Sequence, residues 1–374
     1  MNKPAILTSA VNHGPNHRQL LNAVNAASES AQAGWIVLLG LTAYYVVALG
    51  GVTDRDLLLN SPIVLPIIGI SVSLYRFFFF APLIYIFLHL GVLVHHVGLV
   101  RKIYALIGFM ETQEISEVAA TGMPFIHPLR YEVSGNFFTQ FLAGPPESGL
   151  IRFFQQMMVW STLVLLPLAV LLAFQIGFLP YHDVTATWLH RSYVALALII
   201  VAFVGVFLPS SEQSFWRALG AGLARYPGFY AITAFGFAVI FFLAFAVATV
   251  PGEWIDRTLA RPGLSMPAGG GAGGDAAQQR PVFAPTALLF EGPFDPATGR
   301  PRSIFHRNLV VIDDDVATKD AAQGRTTIAL RYRDLRFARL DRSDLHGADL
   351  TCADMTDAVL TGTNLEGAKT GCPS

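Results

Sequence analysis

Seven ionisable residues sit at the ends of apolar stretches: Asp54, Asp56, His182, Asp183, His190, Arg191 and Glu253, with Arg55, Arg76 and Asp256 beside them. Histidines and carboxylates that converge where hydrocarbon meets water can bind a metal ion or a lipid headgroup, or pass protons. The competing reading is structural. Asp183 stands where it would N-cap a helix, with His190 about two turns further along it. Asp54 and Asp56 can pair with Arg55 or Arg76, and Glu253 opens a short helix whose N-terminus favours a carboxylate. His182 and His190 are eight residues apart, which matches no compact zinc spacing, so no metal is expected.

A second set is His89, His95 and His96. His95 and His96 fall close to Arg101 and Lys102, at the expected headgroup level, whereas His89 lies deeper in an apolar run. An ionisable group at that depth is a functional hypothesis by default. Its alternative is a neutral histidine hydrogen-bonded between helices. No Gly-rich phosphate loop, zinc-finger spacing or Gly-x-Ser-x-Gly elbow occurs, and no cofactor is expected.

Apolar runs must position these residues. Only 14% of the 374 residues are charged, against about a quarter in ordinary soluble domains. The deficit is concentrated in five runs, residues 34–52, 74–100, 158–179, 192–208 and 229–250, each long enough to cross a bilayer's hydrocarbon core. Pro82 and Pro167 interrupt two of them, which membrane helices tolerate when a neighbour satisfies the freed carbonyl. Residues 61–72, with Pro62 and Pro66, are too short to span and read as a re-entrant or interfacial segment. The first thirty residues are polar, and no cleavable signal peptide is expected. Five spans place the termini on opposite sides. Lys and Arg near the spans favour a cytoplasmic N-terminus by six to five.

The expected organisation follows. Residues 1–33 form a cytoplasmic segment and residues 34–260 an α-helical membrane domain with a large loop at 101–156. In that loop Glu111, Glu114 and Glu117 fall at helical spacing and read as a solvated face. Pro251-Gly252 ends the fifth span and Trp254 suits the headgroup level. Residues 261–281 are Gly/Ala-rich and read as a flexible linker. Residues 282–327 read as a β-rich cap, with "TALLFEGPFDPATGRP" as two strands around a turn and "RNLVVIDDD" as another β-like run.

Residues 328–374 repeat every five. Leu330, Leu335, Leu340, Leu345, Leu350, Leu360 and Leu365 share one frame, with Met355 in the gap. Six further leucines joining the first by chance is about one in 15,000. Small residues mostly stand two before each centre (Ala338, Ser343, Ala348, Ala353, Ala358), and Asp or Asn often lies between, as in "GADL" and "GTNL". Arg333 and Thr370 break the pattern.

This segment resembles the pentapeptide-repeat family. The resemblance implies a short right-handed, four-sided parallel β-helix, four pentapeptides to a turn, with the centre and the small residue inward. Arg336, Arg339, Asp341, Arg342, Asp344, Asp349, Asp354 and Asp357 would then face a partner. On the same four-sided turn Cys372 would stack over Cys352, close enough for a disulfide if the compartment is oxidising. Two free cytoplasmic thiols are the alternative. The stretches "YYVVALGGVTDRDLLL", "FLPYHDVTATWLHR" and "TVPGEW" are similar to a group of bacterial membrane proteins that also end in pentapeptide repeats. That likeness implies an architecture and no activity.

Some pentapeptide-repeat proteins mimic DNA, which requires a long acidic rod. Here residues 328–374 carry six basic and seven acidic residues, so nucleic-acid mimicry is excluded. The expected partners are the bilayer and another protein reached through the β-helix. The expected function is a non-enzymatic interaction module or scaffold at the bacterial inner membrane, with the repeats periplasmic. A transporter or membrane-embedded enzyme using the His/Asp/Glu cluster is the alternative.

Overall fold

The structure is a computed structural model; it describes residues 17–64, 69–207, 214–261, 265–267, 281–291, 295, 297, 302–303, 305–316 and 328–372. Five helices among the described residues are long and apolar enough to cross a membrane: His17–Gly51, Leu74–Thr121, Gly149–Tyr181, Val184–Phe207 and Pro227–Val247. The first (α1) begins at His17, well before the apolar run at residue 34, so half of the expected polar segment is helical. Residues 1–16 lie outside the described residues. After α1, Thr53 caps the short α2 (Asp54–Leu59) in a capping box with Asp56. Residues 61–72 contribute to a small antiparallel hairpin, β1 (Pro62–Val64) with β2 (Ser71–Ser73). Residues 65–68 of that segment lie outside the described residues.

The second helix (α3, Leu74–Thr121) has 48 residues. At about 1.5 Å per residue it is more than twice as long as the hydrocarbon core is thick, so the expected loop at 101–156 begins as helix. The reason is visible in its buried face: Leu99, Val100, Ile103, Leu106 and Met110 continue a three-to-four spacing past Arg101 and Lys102. Glu111 and Glu117 are exposed as expected, whereas Glu114 binds Arg130. Then α4 (Phe137–Ala143) and α5 (Gly149–Trp160) follow. A π-helical turn, Ser161–Leu165, joins α5 to α6 (Leu166–Phe178), and Leu179–Tyr181 closes the span as a 3-10 turn. The rest of the helical part is α7 (Val184–Phe207), the amphipathic α8 (Phe215–Arg225), and α9 (Pro227–Phe242), which runs into a second π turn, Leu243–Val247.

The chain divides into two compact units. One comprises residues 1–39, 89–165 and 201–225, the other residues 40–88, 166–200 and 226–374. In the first, α1 and the 131–143 stretch are tied by polar contacts: Ser28 to Thr139 at 2.7 Å, and Asn25 to the amide of Ser134 at 2.9 Å. In the second, Tyr45, Phe77, Phe78, Phe174 and Phe178 form an aromatic core.

Beyond the fifth helix lies α10 (Trp254–Leu259). Within the expected flexible linker, β3 (Ser265–Pro267) pairs with β4 (Pro281–Phe283); residues 268–280 lie outside the described residues. The expected strand at "TALLF" is instead α11 (Ala284–Phe290). Pro285 stands in the first turn of that helix, where its fixed φ helps, Ala and Leu are good helix formers, and Phe283 and Phe290 pack on Leu179, Val247, Ala248 and Val250. Most of "GPFDPATGRP" lies outside the described residues.

From residue 328 the backbone turns a corner every fifth residue. Tyr332, Phe337, Arg342, Gly347, Cys352, Asp357, Gly362 and Gly367 all adopt positive φ. Between corners, residues bridge in parallel to the chain twenty positions on: Ala329 to Asp349, Asp334 to Asp354, Arg339 to Val359, Asp344 to Asn364, Asp349 to Lys369. The Asp or Asn before a centre makes the corner. Asp334, Asp344, Asp349, Asp354 and Asn364 each accept the amide two residues later. Leu330, Leu335, Leu340, Leu345 and Leu350 are buried, while Met355, Leu360 and Leu365 in the last layer are half-buried.

The stack starts earlier than the leucine frame. Val310 bridges Arg339, and Asp315 bridges Asp344. Val311 and Val316, five apart and buried, therefore continue the inward column beneath Leu340 and Leu345. Their five-residue spacing was present in the sequence, but the residues 317–327 that interrupt the frame, and which lie outside the described residues, concealed it.

Candidate functional site

Two histidines singled out in the sequence answer two prolines. Pro82 has no N–H for the carbonyl four residues before it, that of Phe78, and His190 Nε2 donates to that oxygen at 2.9 Å. Pro167 likewise orphans the Leu163 carbonyl, and His89 Nε2 donates to it at 2.8 Å. A carbonyl only accepts, so both rings carry their proton on Nε2. His96 and His95 bond the carbonyls of Val92 and Gly91, one turn back on their own helix. If His190 is structural, His190→Leu leaves the Phe78 oxygen buried and unpaired and costs about 1–3 kcal/mol. Adding Pro82→Ala, which restores the missing N–H, should recover most of the lost thermal stability. A catalytic histidine would gain nothing from that second change.

Arg191 and Glu253 form a buried bidentate pair. Glu253 accepts from Nη1 and, at 2.9 Å, from Nη2, with the two side chains 0% and 2% exposed. Arg191 also donates to the carbonyls of Ala244 and Ala248, and Gln175 donates to the same two oxygens. Ala244 lies within the π turn at Leu243–Val247 and Ala248 follows it, where the regular ladder is broken. Trp188 covers the guanidinium, 4.8 Å from its ring centre.

Asp54 and His182, with Arg55 beside them, form a seat for the C-terminal segment. Both oxygens of Asp54 bond His306 Nε2, at 2.8 and 2.9 Å, and one also accepts the Val310 amide at 2.6 Å. Arg55 reaches Asp314 at 3.5 Å and the Asp315 carbonyl at 3.2 Å. His182 Nε2 donates to the Arg307 carbonyl at 2.8 Å, and its Nδ1 lies 3.6 Å from Asp334. Arg307 in turn is clamped by Asp256 and Glu291. Asp183 caps α7 through the Ala186 amide and accepts from Tyr75.

Arg333, which broke the repeat pattern, lies with its guanidinium 3.6 Å from the Tyr181 ring centre. It is a docking side chain in place of a core one. Burial would raise the Asp334 carboxyl, but His182 at 3.6 Å and the hydrogen bonds from Arg336 outweigh it and hold the group well below the usual carboxylate range. Burial would lower His306, but its bond to Asp54 raises it overall.

Of the seven, the structure pairs Arg191 with Glu253, while Asp54, Asp56, His182, Asp183 and His190 each bond a partner outside the set, so the seven do not converge on one point. No group of three His, Cys, Asp or Glu among the described residues is arranged to hold a metal ion. Sequence reading missed Tyr181, Gln175, His306 and Arg307, whose partners are distant in the chain.

The eight charges expected to face a partner also divide. Asp341 and Asp349, 4% and 7% exposed, are buried and paired with Arg339 and Arg331, contrary to expectation. The alternating frame puts them on the outside of the coil, but their arginines lie across them. Arg336 binds Asp334, Arg342 binds Asp313, and Asp344 binds His346. Asp354 and Asp357, in the last layer, are exposed. There Cys352 and Cys372 are joined by a disulfide, with their Cα atoms 4.6 Å apart.

The twenty-residue pairing, the five-residue corners and the buried leucines identify the segment. Residues 334–368 are pentapeptide repeats. They match the family model of that description in eight copies. The match covers about a tenth of the chain and leaves the helical part unassigned. No curated protein and no solved structure matches the chain.

Proposed function

We propose that the chain is a membrane-anchored pentapeptide-repeat protein whose C-terminal repeats form a right-handed, four-sided β-helix serving as a protein-interaction module or scaffold. The observation that carries this reading is the seat. Of the polar residues that an enzyme or transporter would need, Asp54, Arg55 and His182 hold the repeat stack and the others bond groups within the helical part, while the last repeat layer stays exposed. The domain scheme becomes helices to residue 260, a short connecting hairpin and helix, and repeats from residue 309. The interaction face narrows from eight charges to the exposed last layer, with Asp354 and Asp357 as its named acids.

We place the protein in the bacterial inner membrane, with a cytoplasmic N-terminus and periplasmic repeats. Five apolar helices and a cysteine pair suited to an oxidising compartment support this placement. The test is made in native membranes. Photocrosslinkers at positions 354 and 357 should capture a protein that crosslinkers at buried Asp341 do not. Alkylation of acid-quenched membranes should find no reactive thiol until reductant is added. Equal capture from all three positions would remove the interaction face, and two reactive thiols without reductant would remove the periplasmic placement.

A further inference from the structure

We propose that the His306–Asp54 pair is a pH-sensitive latch that holds the first strip of the repeat stack, residues 309–316, on the end of the first apolar helix pair. Its geometry differs from the other contacts of the seat. Asp54 opens α2, and its two oxygens serve three bonds at once: two from His306 Nε2 and one from the amide of Val310. That amide belongs to the residue that bridges Arg339. One carboxylate thus fixes both the histidine and the strip on which the first complete repeat layer is laid.

Among the described residues, the charged groups around the pair are otherwise engaged. On α2, Arg55 is directed to Asp314 and the Asp315 carbonyl, and Asp56 closes the capping box with Thr53. Just before the strip, Arg307 is held by Asp256 of α10 and by Glu291 after α11. The other histidine of the seat, His182, bonds the Arg307 carbonyl and stands beside Asp334, which Arg336 also holds. Among the described residues, His306 is therefore the group bonded to Asp54 whose charge can change near neutral pH.

The sign follows from linkage. Asp54 favours the protonated ring, so the His306 pKa is raised in the docked state. Such a group contributes its full stabilisation below the undocked histidine value, and that contribution is lost as pH rises through the raised value. Acid tightens the latch, as long as Asp54 stays ionised, and alkali loosens it. When neutral, His306 keeps at most a hydrogen bond to Asp54 and no longer offsets its charge.

Amide hydrogen exchange of the full-length protein in nanodiscs, corrected for intrinsic rates, reads the latch at Val310 and Val311. From pH 6 to pH 9 protection there should fall several-fold, while protection at Leu345 stays constant. His306→Lys, which stays charged, should remain protected at both pH values. His306→Gln, which does not titrate, should be less protected and equally so at both. His182→Gln should keep the wild-type pH dependence. Unchanged protection between pH 6 and pH 9 in the wild type would overturn the latch. So would a pH dependence that survives in both His306 variants, or one that His182→Gln abolishes.

Discussion

Leu345→Asp should unfold the repeat segment. Leu345 is 0% exposed and stands in the inward column, with Val316 below and Leu365 above. Replacing it removes a buried leucine and buries a carboxylate with no partner. The combined cost is at least about 4 kcal/mol, a large share of what a short stack can supply. Protease should then cut within residues 328–372 under conditions that spare the wild type. The neighbouring change Asp344→Ala removes a half-buried carboxylate that accepts the His346 amide, and it should leave the segment resistant. Equal cleavage of the two variants would contradict the five-residue frame.

Glu253→Ala should produce the second large effect, in the helical part. It strands the Arg191 guanidinium, fully buried, leaving it neutral acceptors, the carbonyls of Ala244 and Ala248, and the Trp188 ring but no counter-charge among the described residues. Removing one partner of a buried pair costs about 3–5 kcal/mol. Thermal unfolding in detergent should show the loss. Arg191→Met combined with Glu253→Leu should restore much of it, because neither charge then remains. If Glu253→Ala instead leaves stability intact and abolishes only a biological activity, the pair is functional and the structural account fails.

These sites show what the sequence makes legible and what it hides. The apolar runs, the Asp183 cap and the leucine frame are local patterns, each set by residues within a few positions of one another. The cysteines could be paired only through the turn length that the repeat family implies. By contrast, Asp54 meets Val310 across 256 residues, and His182 meets the Arg307 carbonyl across 125. No periodicity reports such contacts. The roles of His89 and His190 lie between these extremes. Pro82 and Pro167 announce which carbonyls will be left without donors, but only the packing of helices identifies the donors. The extension of α3 was legible and was overlooked, since Ile103, Leu106 and Met110 carry the apolar spacing past the basic pair. At "TALLF", tertiary contacts from Phe283 and Phe290 favour a helix where the sequence was read as a strand leading into a turn.

The strip at residues 309–316 also sets an order of assembly. It is the lowest layer of the stack and is fastened by Asp54 and Arg55, residues that leave the ribosome some 250 positions before it. When the strip emerges, its seat is already made, and each later layer has a finished backbone edge on which to form. Each layer pairs only with its neighbours, as in other repeat arrays. A chain truncated after the first complete layer keeps its template and its fastening. A chain that lacks only the strip has every repeat and nothing on which to start them.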